Sequence, residues 1–317
     1  MNAPGEPNAN ELAGDTPTRT LKRLFLATRP QFLTTSILPV AVGTAWGFRT
    51  AGELDGKALV LALTATVLVH AGANILNDVF DDTYGGDRDN TDRIYPFTGG
   101  SRFIQNAILT RNALQSLALV LLAAAVGFGL LLTALKGPVV LALGGIGAGL
   151  GYMYSAPPVR LCSRGLGEAA VGIAFGLLPV TGAAWLQSGG MDAATVTAAF
   201  SVSLWIAAVL IVNEIPDDAS DAAAGRRTLV VRMGRTGARR LYLGIQVAAF
   251  AILTVAVVAE VYPWPALGLP VLLLIGTVKA YRFIREGRVG MEKCIRMTLA
   301  IHATGCLWLA GLAIFFS

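Results

Sequence analysis

Long apolar runs recur along the chain, separated by short polar stretches. Nine such segments stand out: 31–48, 58–77, 113–135, 138–156, 166–187, 194–215, 241–262, 264–281 and 297–316. Each is near the ~20 residues a helix needs to cross ~30 Å of hydrocarbon. The runs are continuous and do not alternate at period two, so a transmembrane β-barrel does not fit. The pattern predicts an all-α fold, a polytopic membrane helical bundle of about nine transmembrane helices.

Composition agrees. Charged residues make up 14% of the 317 and hydrophobic ones 54%, with a mean hydropathy of +0.61; soluble domains carry about 25% charged residues. One membrane domain over 21–317 is expected, not two or three soluble ones. The opening stretch "MNAPGEPNANELAGDTPT" is polar, has three acids, no base and three prolines. Its composition predicts a disordered tail over 1–20 and lacks the basic start of a signal peptide. Cys162, Cys294 and Cys306 are scattered without metal or redox spacing and are expected to be small apolar fillers.

Charge orients the bundle. Of the 25 Lys and Arg residues, 22 fall before the first span or in alternate connections; the other connections hold only Arg49, Lys57 and Lys136. Basic residues stay on the cytoplasmic side. This predicts a cytoplasmic N-terminus, nine crossings of the cell (inner) membrane and an external C-terminus. The basic balance is explained by this asymmetry and implies no nucleic-acid partner.

Ten of the 20 acids fall in two short stretches. In "NILNDVFDDTYGGDRDNTDR" (74–93), Asn74, Asp78 and Asp81 are spaced i, i+4, i+7, one face of a helix. Asp82, Asp87, Asp89 and Asp92 follow around Gly85-Gly86. In "LIVNEIPDDASDAAAGRRTLVVRMGR", Asn213, Asp217 and Asp221 are spaced i, i+4, i+8, and Pro216 ends or kinks the helix there. The Asn-led pattern recurs 139 positions on, again at a cytoplasmic helix end, as in an internal duplication with parallel topology. Converging carboxylates repel by about 4 kcal/mol per pair at 4 Å and an effective dielectric of 20. Oxygen ligands without His or Cys suit a hard cation such as Mg²⁺, which could bridge them to a diphosphate. An EF-hand fits poorly: "DRDNTDRIYPFT" has Asp92 at the position that needs Gly and Thr98 at the one that needs Glu. Arg88, Arg93, Arg102, Arg160, Arg164, Arg226 and Arg227 lie in the same connections, as membrane anchors or as forks for phosphate oxygens.

These motifs resemble the paired aspartate motifs of the UbiA superfamily of intramembrane prenyltransferases. "YSAPPVRLCSRGLGE" (154–168) is similar to that family's Tyr-Ser-x-Pro-Pro and Arg-Gly-x-Gly-Glu loop, and "AGRRTLVVRMGR" (224–235) to its Gly-Lys-x-Thr-Leu stretch, with Arg226 where Lys is common. The run "NDVFDDTYGGDRDNTDRIYPFTGGSR" looks most like the MenA branch, which prenylates 1,4-dihydroxy-2-naphthoate. The resemblance implies a UbiA-type fold and a membrane transferase of quinone biosynthesis with Mg²⁺ as cofactor. Its partners are a polyprenyl diphosphate and an aromatic acceptor. By position, Asn74, Asp78, Asp81, Asn213, Asp217 and Asp221 would hold Mg²⁺-diphosphate at the cytoplasmic face. Arg226 would fill the Lys role, Arg160 would contact phosphate, and Tyr154 would hydrogen-bond the diphosphate or a motif Asp. Arg93 and Arg102 would serve the diphosphate or an anionic acceptor.

Other features carry blander readings. The glycines 144, 145, 147, 149 and 151 are expected to mediate close helix packing in preference to cradling phosphate. His70 and His302 are expected to be satisfied interior residues. A terpene cyclase of the same superfamily would need the same motifs. A divalent-cation transporter would place its acids at mid-membrane on broken helices, whereas these lie at helix ends.

Overall fold

A computed structural model describes residues 6–14, 16–85 and 90–315. Asp87, Arg88 and Asp89 of the first acidic stretch lie outside the described residues. Within them the regular structure is helical throughout. The helices are α1 (Pro17–Ala27), α2 (Thr34–Ala51), α3 (Gly56–Tyr84), α4 (Arg111–Lys136), α5 (Val139–Ser155), α6 (Gly167–Gly172), α7 (Leu178–Ser188), α8 (Ala193–Glu214), α9 (Asp218–Ala223), α10 (Leu229–Val258), α11 (Gly268–Phe283) and α12 (Gly287–Phe315).

Local sequence sets the boundaries. Asp55, Thr110, Asp192 and Thr228 each cap a helix by accepting from the backbone N–H three residues on, satisfying donors the helix leaves unpaired. At the other end, Gly85 closes α3 at φ 81°, a conformation that favours glycine.

Among the described residues, seven helical segments are long and apolar enough to cross a membrane: Gly56–Tyr84, Arg111–Lys136, Gly167–Ser188, Ala193–Glu214, Leu229–Val258, Trp264–Phe283 and Gly287–Phe315. The shorter Val139–Ser155 is also apolar. Each of the nine expected segments coincides with a helix, and length and composition mark seven of them as spans. The first, α2, carries Arg49 and two buried threonines. α10 begins a dozen residues before its expected span because its first turns are basic and lie beyond the apolar stretch; Gly234, at φ 66°, breaks the helix there.

α8 is the central post, with 72% of its apolar window buried against 17% for α4. Around it pack α10, α12 and α6, while α2 lies on α7 and α3 on α4. Trp46, Val202, Trp205 and Leu309 join one core. The α2–α7 contact is backbone to backbone: a Cβ on Gly43 would lie 2.0 Å from the Val180 oxygen, and one on Gly47 2.5 Å from the Ala184 oxygen. By contrast Gly144, Gly145 and Gly151 have no such neighbour within 4 Å, and Gly147 and Gly149 only side-chain atoms at 3.8 Å. The small-residue packing expected of α5 is thus found on α2. A glycine-rich run permits close approach but does not create it, and of α5 only Ser155 is buried.

Part of the N-terminal stretch is described, residues 6–14 and 16–20. Among these, Glu6 and Leu12 are buried and α1 starts at Pro17. Composition registers few apolar residues here; Leu12 nevertheless joins the cluster of Ala27, Ile75, Val79, Phe103 and Leu114. The cysteines are free and buried.

Candidate active site

The ends of α3, α5 and α8, the connection 90–110, the stretch from α6 into the turn after it, and α9 meet around a cavity of ≈ 180 Å³. One part of its wall is polar: Asn74, Asn77, Asp81, Asn213, Glu214, Asp217, Asp221, Arg226 and Tyr154. The rest is apolar, with Phe32, Leu150, Val171, Phe175, Ile206 and Leu210. A π-helical turn at Ile173–Leu177 contributes Ala174 and Phe175 to this wall. Such bulges are frequent at functional sites. This one is seated by Gly176, where a Cβ would lie 2.4 Å from the Ser203 Cα.

Both aspartate motifs reach the cavity. Arg226 lies between them, 2.9 Å from Asp81 and 3.4 Å from Asp221. Its charged form is strengthened by these two carboxylates against its burial. Burial pushes the Asp221 carboxyl up to about 7, with Arg226 opposing the rise and Asp217 and Asp81 adding to it. Asp217 is clamped: Oδ1 accepts from Asn90 Nδ2 at 2.6 Å and Oδ2 from the Gly99 N–H at 3.1 Å. Burial still raises its carboxyl above the usual range, although Asn90, Gly99, Thr98 and Arg226 all pull it down.

Asp78 does not line the cavity. Asn74, Asn77 and Asp81 form the stripe that does, and Asp78 lies at its edge, turned about 40° from Asn74 on the helix. Its Oδ2 accepts from the Ser101 N–H at 3.0 Å, and Oδ1 is 3.9 Å from Arg29. Asn74 donates Nδ2 to the Thr28 carbonyl at 3.0 Å. Tyr154 reaches the cavity from α5.

The other arginines stand apart from the lining. Arg160 stacks over Tyr84 at 3.8 Å. Arg93 is buried against Glu6 and the Asn90 carbonyl. Arg102 is buried with φ 66°. Besides Arg226, the wall includes Arg29, before α2, which also donates to the Phe97 carbonyl. Its only sequence signal is a lone base at the mouth of the first apolar run. Glu214 was equally unmarked. It lines the cavity with Glu168 as a near charged neighbour; Glu168 accepts from the Leu229 N–H. His70 lines the cavity with Nδ1 2.5 Å from Ser36 Oγ. His302 is buried beside Cys306.

The donor set suits a hard divalent cation. It consists of carboxylate and amide oxygens, and two buried acceptors, Asn213 Oδ1 and Asp78 Oδ1, have no hydrogen-bond partner. Among the described residues no three acidic, His or Cys side chains are gathered as a ready cation cage; Arg226 stands between Asp81 and Asp221.

An all-helical membrane protein that brings acids and arginine to one end of an apolar chamber has the build of an intramembrane transferase acting on a chain with an anionic head. Residues 36–315 match the UbiA prenyltransferase family, and the chain belongs to it. The 1,4-dihydroxy-2-naphthoate octaprenyltransferase of Mycobacterium tuberculosis is 32% identical over 265 residues, 83% of this chain and 86% of that one. The 2-carboxy-1,4-naphthoquinone phytyltransferase of Synechocystis is 29% identical over 260 residues, 82% and 81% of the two chains. A UbiA homologue from Archaeoglobus fulgidus, solved bound to DMAPP and Mg²⁺, has the same fold: TM-score 0.67 and 17% identity over 92% of this chain and 99% of that one. The protein is a multi-pass membrane prenyltransferase.

Proposed function

We propose that this prenyltransferase moves a polyprenyl group from its diphosphate to 1,4-dihydroxy-2-naphthoate, at the cytoplasmic face of the cell membrane. The observation that carries the reading is a cavity shared by both acidic arms, with a polar part of the wall and an apolar remainder. The names of the naphthoate-acting relatives support the acceptor.

Asp81, Asp217 and Asp221, with Asn74 and Asn213, would hold Mg²⁺ from the cavity wall, and Asp78, expected to join them, would do so only by turning in from the edge of the stripe. When bound, the cation neutralises the diphosphate and makes it a better leaving group. Arg226 directs its positive charge to the same end of the cavity, fixed in place before any substrate arrives. Asn90 and Gly99 hold Asp217 so that its carboxylate does not have to reorganise. Phe32, Val171, Phe175 and Ile206 exclude water from a carbocation. Arg29, in the wall between Asp78 and Phe32, is placed to receive the carboxylate of a flat anionic acceptor, the role first expected of Arg93 and Arg102. Tyr154 presents a hydroxyl to the diphosphate end. Arg160, stacked on Tyr84, supports the end of α3 that carries the first motif.

The test is the product mass from a long-chain polyprenyl diphosphate, with and without 1,4-dihydroxy-2-naphthoate. A prenylated naphthalene is expected, with turnover lost in excess EDTA and restored by Mg²⁺. A cyclic hydrocarbon or terpene alcohol formed without acceptor would make the protein a cyclase, and full turnover in EDTA would remove the metal from the reading.

A further inference from the structure

The residues ahead of α1 lie against the connection that clamps Asp217. Glu6 is fully buried at its side chain and pairs with Arg93 at 2.5 Å. It precedes Pro7, which biases it to an extended backbone. The Pro7 carbonyl accepts from Asn106 Nδ2 at 2.8 Å. Leu12 enters the α3–α4 cluster, and its carbonyl accepts from Arg23 at 3.3 Å. This short polar stretch is therefore held at three points.

Arg93 joins it to the site. Its Nη1 donates to the Asn90 carbonyl, and Asn90 Nδ2 donates to Asp217 Oδ1. Its side chain also lies flat on Gly99: a Cβ there would come within 2.7 Å of the Arg93 Cβ. Gly99 in turn gives its N–H to Asp217 Oδ2. Both groups that hold Asp217 are thus organised by one arginine, its guanidinium on Asn90 and its stem on Gly99, and that guanidinium is held by Glu6. We infer that the segment from Glu6 to Leu12 is a strap over the active site, and that Glu6 is a positioning residue for Asp217, acting through Arg93, Asn90 and Gly99. The inference rests on the reading that Asp217 holds the cation and diphosphate.

The experiment uses the full chain in detergent, with Mn²⁺ and inorganic pyrophosphate as probes. Three quantities are measured: hydrogen exchange over residues 90–101, Mn²⁺ affinity by electron paramagnetic resonance, and Tm. Removing a partner that orients a metal ligand weakens metal affinity about 10- to 100-fold. Glu6→Ala should therefore speed exchange at 90–101 and weaken Mn²⁺ at least about 10-fold, without a matching fall in Tm. Glu6→Gln, which keeps an acceptor, should lie between it and the wild type. Asn90→Ala should weaken Mn²⁺ equally while residues 6–12 stay protected, which keeps the test usable if Glu6→Ala folds poorly. Unchanged exchange and affinity in Glu6→Ala, or wild-type affinity in Asn90→Ala, overturns the strap. Unchanged affinity in Asp217→Asn instead overturns the reading of the metal site.

Discussion

Asp221 carries a cost that its neighbours only partly offset. Its carboxyl titrates near 7 in the folded protein against 3.8 when unperturbed, chiefly through burial. A group that binds its proton more tightly when folded loses stability as pH rises from its unfolded to its folded pKa. Asp221→Asn should therefore match the wild type in Tm near pH 4, pull ahead as pH rises to 7 and keep that lead above it, while losing turnover. Thermal melts in EDTA from pH 4 to 8 would show this, and a lower Tm for the variant at pH 8 would mean that pairing with Arg226 outweighs burial. Arg29 gives the complementary case. A hydrogen bond to a charged group contributes about 1.5–3 kcal/mol. Arg29→Ala should raise the KM for the naphthoate acceptor by about 10- to 100-fold and leave the KM for the diphosphate nearly unchanged. A shift confined to the diphosphate would move Arg29 to the other end of the cavity.

At the scale of the helix, the spacing of Asn74, Asp78 and Asp81 places them near one face, and the helix does bring that face to the site. Spacing does not tell a residue in the middle of the stripe from one at its edge, so Asp78 was indistinguishable from Asp81, and Asn77 went unmarked. The nine apolar segments were legible because lipid leaves a long local signal. The strap was not, because burial of Glu6 depends on a guanidinium 87 residues away. The same limit applies to glycine. On sequence, α5 is the richer small-residue helix, yet the close contact is α2 on α7. Gly43→Ala would drive a methyl into the Val180 carbonyl at 2.0 Å, and overpacking of this kind costs about 1–3 kcal/mol. Gly144→Ala meets open space and should be neutral or gain up to about 1 kcal/mol. Comparing the two melts decides which helix carries the packing.

For the whole molecule, charge and contacts report the same sidedness independently. The connection 90–110 reaches α9 through Asp217. The 156–166 connection meets the start of α10, where the Arg227 N–H donates to the Ser163 carbonyl at 3.2 Å. These are the basic connections. At the opposite end Asp55 binds Lys136 at 2.8 Å and exchanges hydrogen bonds with Gln187, in the connections that are nearly free of base. The contacts thus gather the basic connections at one end and the nearly base-free ones at the other, the arrangement that the positive-inside rule would orient. The native cysteines are buried, so single cysteines placed at exposed Thr91, Gly225, Gly52 and Gly189 can be read without removing them. In sealed vesicles of known orientation, an impermeant maleimide should label positions 91 and 225 from the cytoplasmic side only, and positions 52 and 189 from the other side only. Labelling of 91 and 225 from opposite sides would separate the two aspartate arms across the membrane. A cavity built from both could not then exist, and the transferase site would fail with it.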